Sequence, residues 1–302
     1  MKKVTFALDW TPNINHIGFF IAREMGYYKA LGIEVNIIDP SADNYAVTPA
    51  KKVEKGVADF ALCPTESVIS FRTKTTPFDL IGVATVFQHD LSAIAVRAGE
   101  GIETPKDLDG KMYASYQARY EDRIVMQMIR NDGGNGILNI DYPAKLGVWE
   151  TLLNKTFDST WVFTNWEGVE AEVLGANLNY FRMVDYGIPY SYSPLLVVSE
   201  SKIAKHKETY RAFVSASKKG FHFCQTNSAE AVEIFEQFVP EKNAKIDLMK
   251  ALEISIPAFG KDWGRMNEKV VSDFLDWVYQ NKLEPTRLKV SHIVSNDLLQ
   301  PA

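Results

Sequence analysis

Glu167 stands between Trp166 and Gly168, and a carboxylate beside an aromatic plane can do specific chemistry. It accepts hydrogen bonds from an exocyclic amine, and with a shared proton it also pairs with an adjacent ring nitrogen. Aminopyrimidines present that edge. Taken alone, Glu167 is as readily a solvated surface residue, so its weight comes from its company. Seven aromatic residues, Trp10, Tyr116, Tyr120, Trp166, Tyr186, Tyr190 and Tyr192, fall just beyond expected strand ends. Any one of them is by default a core aromatic. Seven at one crevice favour a flat ligand, because offset stacking adds roughly 0.5–1.5 kcal/mol beyond area burial. Asn13 offers a side-chain amide that serves donors and acceptors alike, which suits an amide or a second ring nitrogen. Glu66 follows Pro64-Thr65 and reads first as a helix-dipole or capping carboxylate; its second reading is a ligand-binding residue of the same crevice.

Other chemistries find no support in the residue patterns. There is no Gly-x-Ser-x-Gly elbow, no His-Glu-x-x-His run, no P-loop and no dinucleotide fingerprint. Asp132-Gly133-Gly134-Asn135-Gly136 follows an expected helix and reads as a turn. The five histidines, His16, His89, His206, His222 and His292, show no ligand spacing, so no metal site is expected. Cys63 and Cys224 read as two buried free thiols. A net charge of −5 without a basic stripe argues against a nucleic-acid partner.

The elements that must hold these residues follow from length and periodicity. At 302 residues and 46% hydrophobic, the chain is too long for one comfortable core and has material for two. Residues 4–9, 33–38, 59–62 and 80–86 read as strands. They alternate with expected helices at 16–31 and 45–55 and one begun by Thr65 as its cap, which implies a mainly parallel sheet. Further on, residues 112–115, 161–164 and 180–184 read as strands. Helices are expected at 104–108, 121–130, 149–153 and 168–174. From residue 201 the pattern is helical to residue 280, with Ser228 as the cap of one helix. Two extended apolar segments, near 88–95 and 190–196, divide the chain. The expectation is therefore α/β, with one lobe of residues 1–91 plus 195–302 and a second of residues 92–194. Ligands in such sheets sit beyond the carboxyl ends of the strands, in the crevice between lobes.

A family resemblance joins these observations. Phe6-Ala7-Leu8-Asp9-Trp10-Thr11-Pro12-Asn13-Ile14-Asn15-His16-Ile17-Gly18, with Gly26-Tyr27-Tyr28 and Leu31-Gly32-Ile33, resembles the opening of the ThiY-like pyrimidine-binding proteins, which the fungal thiamine-pyrimidine synthases share. Thr104-Pro105-Lys106-Asp107-Leu108-Asp109-Gly110-Lys111 resembles the start of the second lobe in many type II periplasmic binding proteins. Asn165-Trp166-Glu167-Gly168-Val169-Glu170 is similar to the Trp-Glu-Gly segment of the pyrimidine binders, and residues 189–194 to their Tyr-rich return strand. The resemblance implies the type II periplasmic-binding-protein fold and delivery of a thiamine precursor, with an ABC permease as partner. It also implies that Trp10 stacks on the pyrimidine, Asn13 contacts its ring and Glu167 binds its amino edge. Tyr116, Arg119, Trp166, Tyr190 and Tyr192 complete the expected site, with Glu66 at its rim.

The synthases are the second reading. They use pyridoxal phosphate on a lysine, spend an active-site histidine and hold iron near a Cys-rich segment. Alignment puts Cys63 at the lysine and Ser67 at the histidine. Ser115-Tyr116-Gln117-Ala118-Arg119-Tyr120 replaces the Gly-rich loop, and Ser193-Pro194-Leu195-Leu196-Val197 the Cys-rich stretch. No cofactor is expected on that basis. Arg119 departs from the small residues of the pyrimidine binders and points to an anionic or carbonyl-bearing ligand. The third reading is a binder of another flat or sulfonated compound, since relatives with the resembled fold carry flavins and alkanesulfonates. Met1-Lys2-Lys3 runs straight into a strand, without the apolar run of a secretory leader. Two placements stay open: cytoplasmic, or periplasmic or cell-surface after loss of a leader.

Overall fold

The computed structural model describes residues 1–299; residues 300–302, the end of the expected first lobe, lie outside the described residues. The chain opens as strand, helix, strand: β1 (Lys2–Ala7), α1 (Ile17–Glu24), α2 (Tyr27–Ala30) and β2 (Ile33–Ile38). Then come α3 (Pro49–Glu54), β3 (Phe60–Cys63), α4 (Thr65–Thr73) and β4 (Leu80–Thr85). The chain crosses over and builds β5 (Ser92–Arg97), β6 (Met112–Ala114), α5 (Glu121–Asn131), β7 (Asn139–Asp141), α6 (Val148–Leu153), β8 (Ser159–Phe163), α7 (Glu167–Val173) and β9 (Leu178–Phe181). It returns through β10 (Leu195–Ser199) into α8 (Glu200–Thr226), α9 (Ser228–Phe235), α10 (Leu248–Phe259) and α11 (Glu268–Gln280). No helix among the described residues is long and apolar enough to cross a membrane.

Two five-stranded sheets result, ordered β2-β1-β3-β10-β4 and β7-β6-β8-β5-β9. Each has a parallel trio, as the alternating pattern predicts, but both sheets are mixed: β10 is antiparallel to β3 and β4, and β5 is antiparallel to β8 and β9. The reason is the crossover. The parallel strands end at the cleft, whereas a strand that has just crossed begins there and runs away from it.

Local chemistry explains the other departures. The helix expected at 16–31 is three pieces: a 3-10 turn at Ile14–His16 capped by Asn13, then α1, then α2 beyond Gly26. Gly26 has φ +70°, a left-handed conformation that ends α1 at low cost. The helix expected at 45–55 shrinks to α3, begun by the Thr48 cap with Pro49 at its first position. Thr65 is not a cap: it is the first residue of α4, and its hydroxyl donates to the Tyr192 carbonyl at 2.8 Å. Ser228 likewise donates back to the Cys224 carbonyl and caps nothing. Residues 105–108 form a single 3-10 turn after Thr104. β7 escapes the periodicity because three residues, Asn-Ile-Asp, alternate too briefly to register.

The first lobe's core is aromatic. Phe6, Phe19, Phe213, Phe221 and Trp263 are fully buried around α1 and α8. The two helices cross so closely that a Cβ on Gly220 would fall 1.9 Å from the Gly18 carbonyl oxygen. This packing fixes α1 and thereby the turn before it, which carries Trp10, Asn13 and Asn15 toward the cleft.

Candidate functional site

Strand ends from both sheets converge on a cavity of about 340 Å³. The first lobe lines it with Asp9, Trp10, Asn13, Tyr45, Cys63 and Glu66, and the second with Tyr116, Arg119, Glu121, Lys145, Trp161 and Glu167, while Tyr190 comes from the return segment. Its volume suits one small heterocycle.

Three successive residues share the work at the Glu167 corner. The Asn165 side-chain amide crosses between lobes and donates to Asn15 Oδ1 and Ser255 Oγ, both at 2.8 Å. Trp166 is buried in the first lobe's core cluster. Glu167, in the first turn of α7, faces the cavity, and its Oε2 accepts the Phe163 backbone N–H at 2.9 Å. Burial pushes the Glu167 carboxyl up to about 7, against the easing effect of that N–H. Near neutrality it can therefore share a proton with a ring nitrogen.

Trp10 forms the aromatic side of the cavity. Its ring centroid lies 5.8 Å from Tyr45 and 5.7 Å from Tyr116, the latter edge-on at 80°. Tyr45 is set by its hydroxyl, which donates to the Asp9 carbonyl at 2.7 Å. Lys145 lies over the Tyr45 ring at 5.2 Å, and desolvation holds its pKa below the usual lysine value. Trp161 and Tyr190 make a second aromatic corner, 5.2 Å apart. There Tyr190 donates to Glu66 Oε1 at 2.7 Å.

The loop carrying Tyr116 and Arg119 has two residues in the left-handed region, Gln117 at φ +60° and Tyr120 at φ +69°. Such conformations are costly for side-chain-bearing residues. Glu121 offsets that cost: its Oε1 accepts the Tyr113 hydroxyl and the Tyr116 N–H, and its Oε2 accepts the Ala118 N–H. The buried carboxylate is thus satisfied from within.

The nine residues expected at the site divide accordingly. Trp10, Asn13, Glu66, Tyr116, Arg119, Trp166, Glu167 and Tyr190 line the cavity, and Tyr192 does not. The Tyr192 ring is buried in the core, and its hydroxyl accepts the Asn267 N–H at 2.9 Å, so it holds the start of α11. Tyr120 and Tyr186 also stand outside the lining. Two other residues play different parts from those expected. Asn13 spends Oδ1 on the Asn15 N–H and Nδ2 on the Thr11 carbonyl, which makes it chiefly the cap that shapes the turn. Arg119 is already paired: its guanidinium binds Glu284 and reaches Ser70 Oγ at 3.3 Å, so it is not a free cation awaiting an anionic ligand. Asp9, Tyr45, Lys145 and Trp161 were missed. Asp9, at the end of the opening motif, accepts from His16 Nε2 at 2.8 Å, while His16 Nδ1 takes the Asn13 N–H; the position just past a strand was the signal available for it.

Cys63 and Cys224 are buried and free. Cys63 and Ser67 line the cavity where the synthase resemblance puts lysine and histidine. A buried thiol pushed well above its usual pKa offers no amine, so the residues at these positions do not fit pyridoxal phosphate. Among the described residues no group of three His, Cys, Asp or Glu side chains could hold a metal ion.

Comparison with known proteins gives concordant results. The NMT1/THI5-like family pattern matches residues 13–231. The formylaminopyrimidine-binding protein of Halalkalibacterium halodurans is 26% identical over 93% of this chain and 87% of its own length. The 4-amino-5-hydroxymethyl-2-methylpyrimidine phosphate synthase of Legionella pneumophila is 22% identical over 94% of this chain and 93% of its own. Among solved structures, the Candida albicans CA3427 protein, which has the generic periplasmic-binding-protein fold, superposes with a TM-score of 0.72 at 13% identity, covering 100% of this chain and 99% of its own. The architecture is thus the periplasmic-binding-protein fold, as the crossing segments and cleft motifs led one to expect.

Proposed function

The chain belongs to the NMT1/THI5-like family, and from that premise we propose that it is a solute-binding protein for an aminopyrimidine-like thiamine precursor. Glu167 carries the reading. A buried carboxyl poised near neutrality, beside a cavity walled by Trp10, Tyr45 and Tyr116, matches the amine and ring nitrogen of an aminopyrimidine edge. The H. halodurans relative, a formylaminopyrimidine binder by name, supports the same class. Trp10 supplies the ring face, and Tyr116 closes the box from the second lobe.

The lobes of this proposal are residues 1–91 plus 195–302 and residues 92–194, hinged at the two crossing segments. The contacts that join them across the cleft, Asn165 to Asn15 and Arg119 to Glu284, are what a ligand-driven closure would make. Delivery to an ABC permease is the role such a closure serves, and it goes with a periplasmic or cell-surface placement. Native mass spectrometry of freshly purified protein tests the ligand class: a co-purified aminopyrimidine is expected. A flavin, a sulfonate or a covalently held cofactor in its place would overturn the assignment.

A further inference from the structure

Glu66 is the one carboxylate of the cavity whose position the site described so far does not use. It lies in the first turn of α4 and is 3% exposed. Tyr190 fixes one oxygen, Oε1, and is itself wedged between Trp161 and Phe274, at 5.2 and 5.5 Å between ring centroids. The other oxygen, Oε2, is buried without a hydrogen-bond partner. Leaving such an atom unpaired is costly, and buried polar atoms in native proteins are satisfied in the great majority of cases. No partner for it stands among the described residues. A helix-dipole role would not require this oxygen to be shut away from water beside a cavity.

The surrounding charge says what kind of partner fits. Asp9, Glu66, Glu121 and Glu167 line the cavity against Arg119 and Lys145. Glu284 occupies Arg119, and Lys145 lies over Tyr45. Asp9 is bound by His16, and Glu121 is satisfied by its three donors. Glu121 and Asp90 add negative potential at Glu66, and burial pushes its carboxyl up to about 8, eased by Tyr190 and by its own backbone N–H. An anionic substituent would meet repulsion here, whereas a cationic donor would favour loss of the Glu66 proton and be held by the resulting carboxylate.

We infer that Glu66 Oε2 is a second recognition point of the cavity, which takes an amine carried on a substituent of the ligand's ring. The inference rests on the aminopyrimidine reading above and extends it: the ligand is held at two ends, its ring edge by Glu167 on the second lobe and its amine by Glu66 on the first. Binding at both ends then favours the closed arrangement.

Calorimetry with three probes tests this: 4-amino-2,5-dimethylpyrimidine, 4-amino-5-aminomethyl-2-methylpyrimidine and the N-formyl derivative of the latter. The aminomethyl compound should bind about tenfold to a hundredfold more tightly than the dimethyl compound, the range of one charge-assisted hydrogen bond. Glu66→Gln should erase that preference, bringing the two compounds to within about threefold of each other. Tyr190→Phe keeps the carboxylate but frees it, and should reduce the preference partway; it also serves if Glu66→Gln fails to fold. Dimethyl and aminomethyl probes that bind equally well would overturn the second recognition point and leave the aminopyrimidine reading standing. So would tighter binding of the formyl probe that survives Glu66→Gln, since the buried group would then be reading a carbonyl. If none of the three bound, the aminopyrimidine reading would fail and the inference with it.

Discussion

Arg119→Ala should loosen the closed arrangement without touching either core. The Arg119 guanidinium belongs to the second lobe, and its partner Glu284 follows α11 on the first. The Glu284 side chain is 4% exposed and that of Arg119 is 32% exposed. Tyr120 donates to the same Glu284 oxygen. Truncating Arg119 leaves Glu284 with a hydroxyl and no cation. Removing one partner of a fully buried pair costs about 3–5 kcal/mol, whereas an exposed pair is worth about 0–1 kcal/mol. One partner here is a third exposed, so we take about 1–2 kcal/mol against closure. That shifts the closed-to-open ratio by roughly fivefold to thirtyfold. Because closure and binding are linked, ligand affinity should fall by up to the same factor. Small-angle scattering of parent and variant at the same subsaturating ligand concentration should show a larger radius of gyration for the variant, and saturating ligand should restore compaction. A double-mutant cycle with Glu284→Gln should return a coupling of about 1 kcal/mol or more. Zero coupling, with scattering and affinity unchanged, would refute the latch.

Other expected outcomes follow from the same geometry. Trp10→Ala removes both stacking and apolar area, and should weaken aminopyrimidine binding by about tenfold to a hundredfold in calorimetry; an effect below threefold would remove Trp10 from the ring face. Burial raises the Glu66, Glu167 and Asp90 carboxyls to about 8, 7 and 7. A folded-state pKa above the unfolded one stabilises fully below the unfolded value and is lost as pH rises through the folded value. Ligand-free melting temperatures should therefore decline between about pH 4.5 and pH 8, and the Glu66→Gln, Glu167→Gln double variant should flatten the decline; an unaltered slope would contradict the burial argument. Added pyridoxal phosphate should leave no borohydride-stable adduct by mass spectrometry, and an adduct on Lys145, the cavity's lysine, would reopen the synthase reading.

How much the sequence disclosed depended on the range of the interaction involved. Strand-end logic found Trp10, Tyr116, Tyr190 and Glu167 because a position relative to a strand end is a local property, and the Asn165-Trp166-Glu167 motif sharpened it. It misassigned Tyr192 because alternation along an extended segment cannot tell which tyrosine turns into the cleft and which turns back to hold Asn267. Asn13 and Arg119 reach the cavity but are claimed by partners, one two residues away and the other 165 residues away. The first could be weighed from capping chemistry, whereas the second, a meeting of loop and C-terminal segment, has no sequence signature. Lys145 lies on an irregular segment where periodicity gives no signal, and Tyr45 falls in the expected helix at 45–55, which begins only at Pro49 and leaves the tyrosine on the loop before it. The mixed sheets were foreseeable in principle, since the two crossing strands had been identified and their direction follows from where a crossover must start.

The central claim is that Glu167 reads the amino edge of an aminopyrimidine, and titration calorimetry of Glu167→Gln against the parent protein tests it most directly. The substitution keeps the shape and removes the charge and one acceptor, so a charge-assisted hydrogen bond of about 1.5–3 kcal/mol should go, with affinity falling by roughly one to two orders of magnitude. By the same burial argument the ligand-free variant should melt no lower than the parent at neutral pH, since Gln removes a carboxyl whose ionisation burial opposes. Equal affinity of variant and parent for the aminopyrimidine would contradict the account.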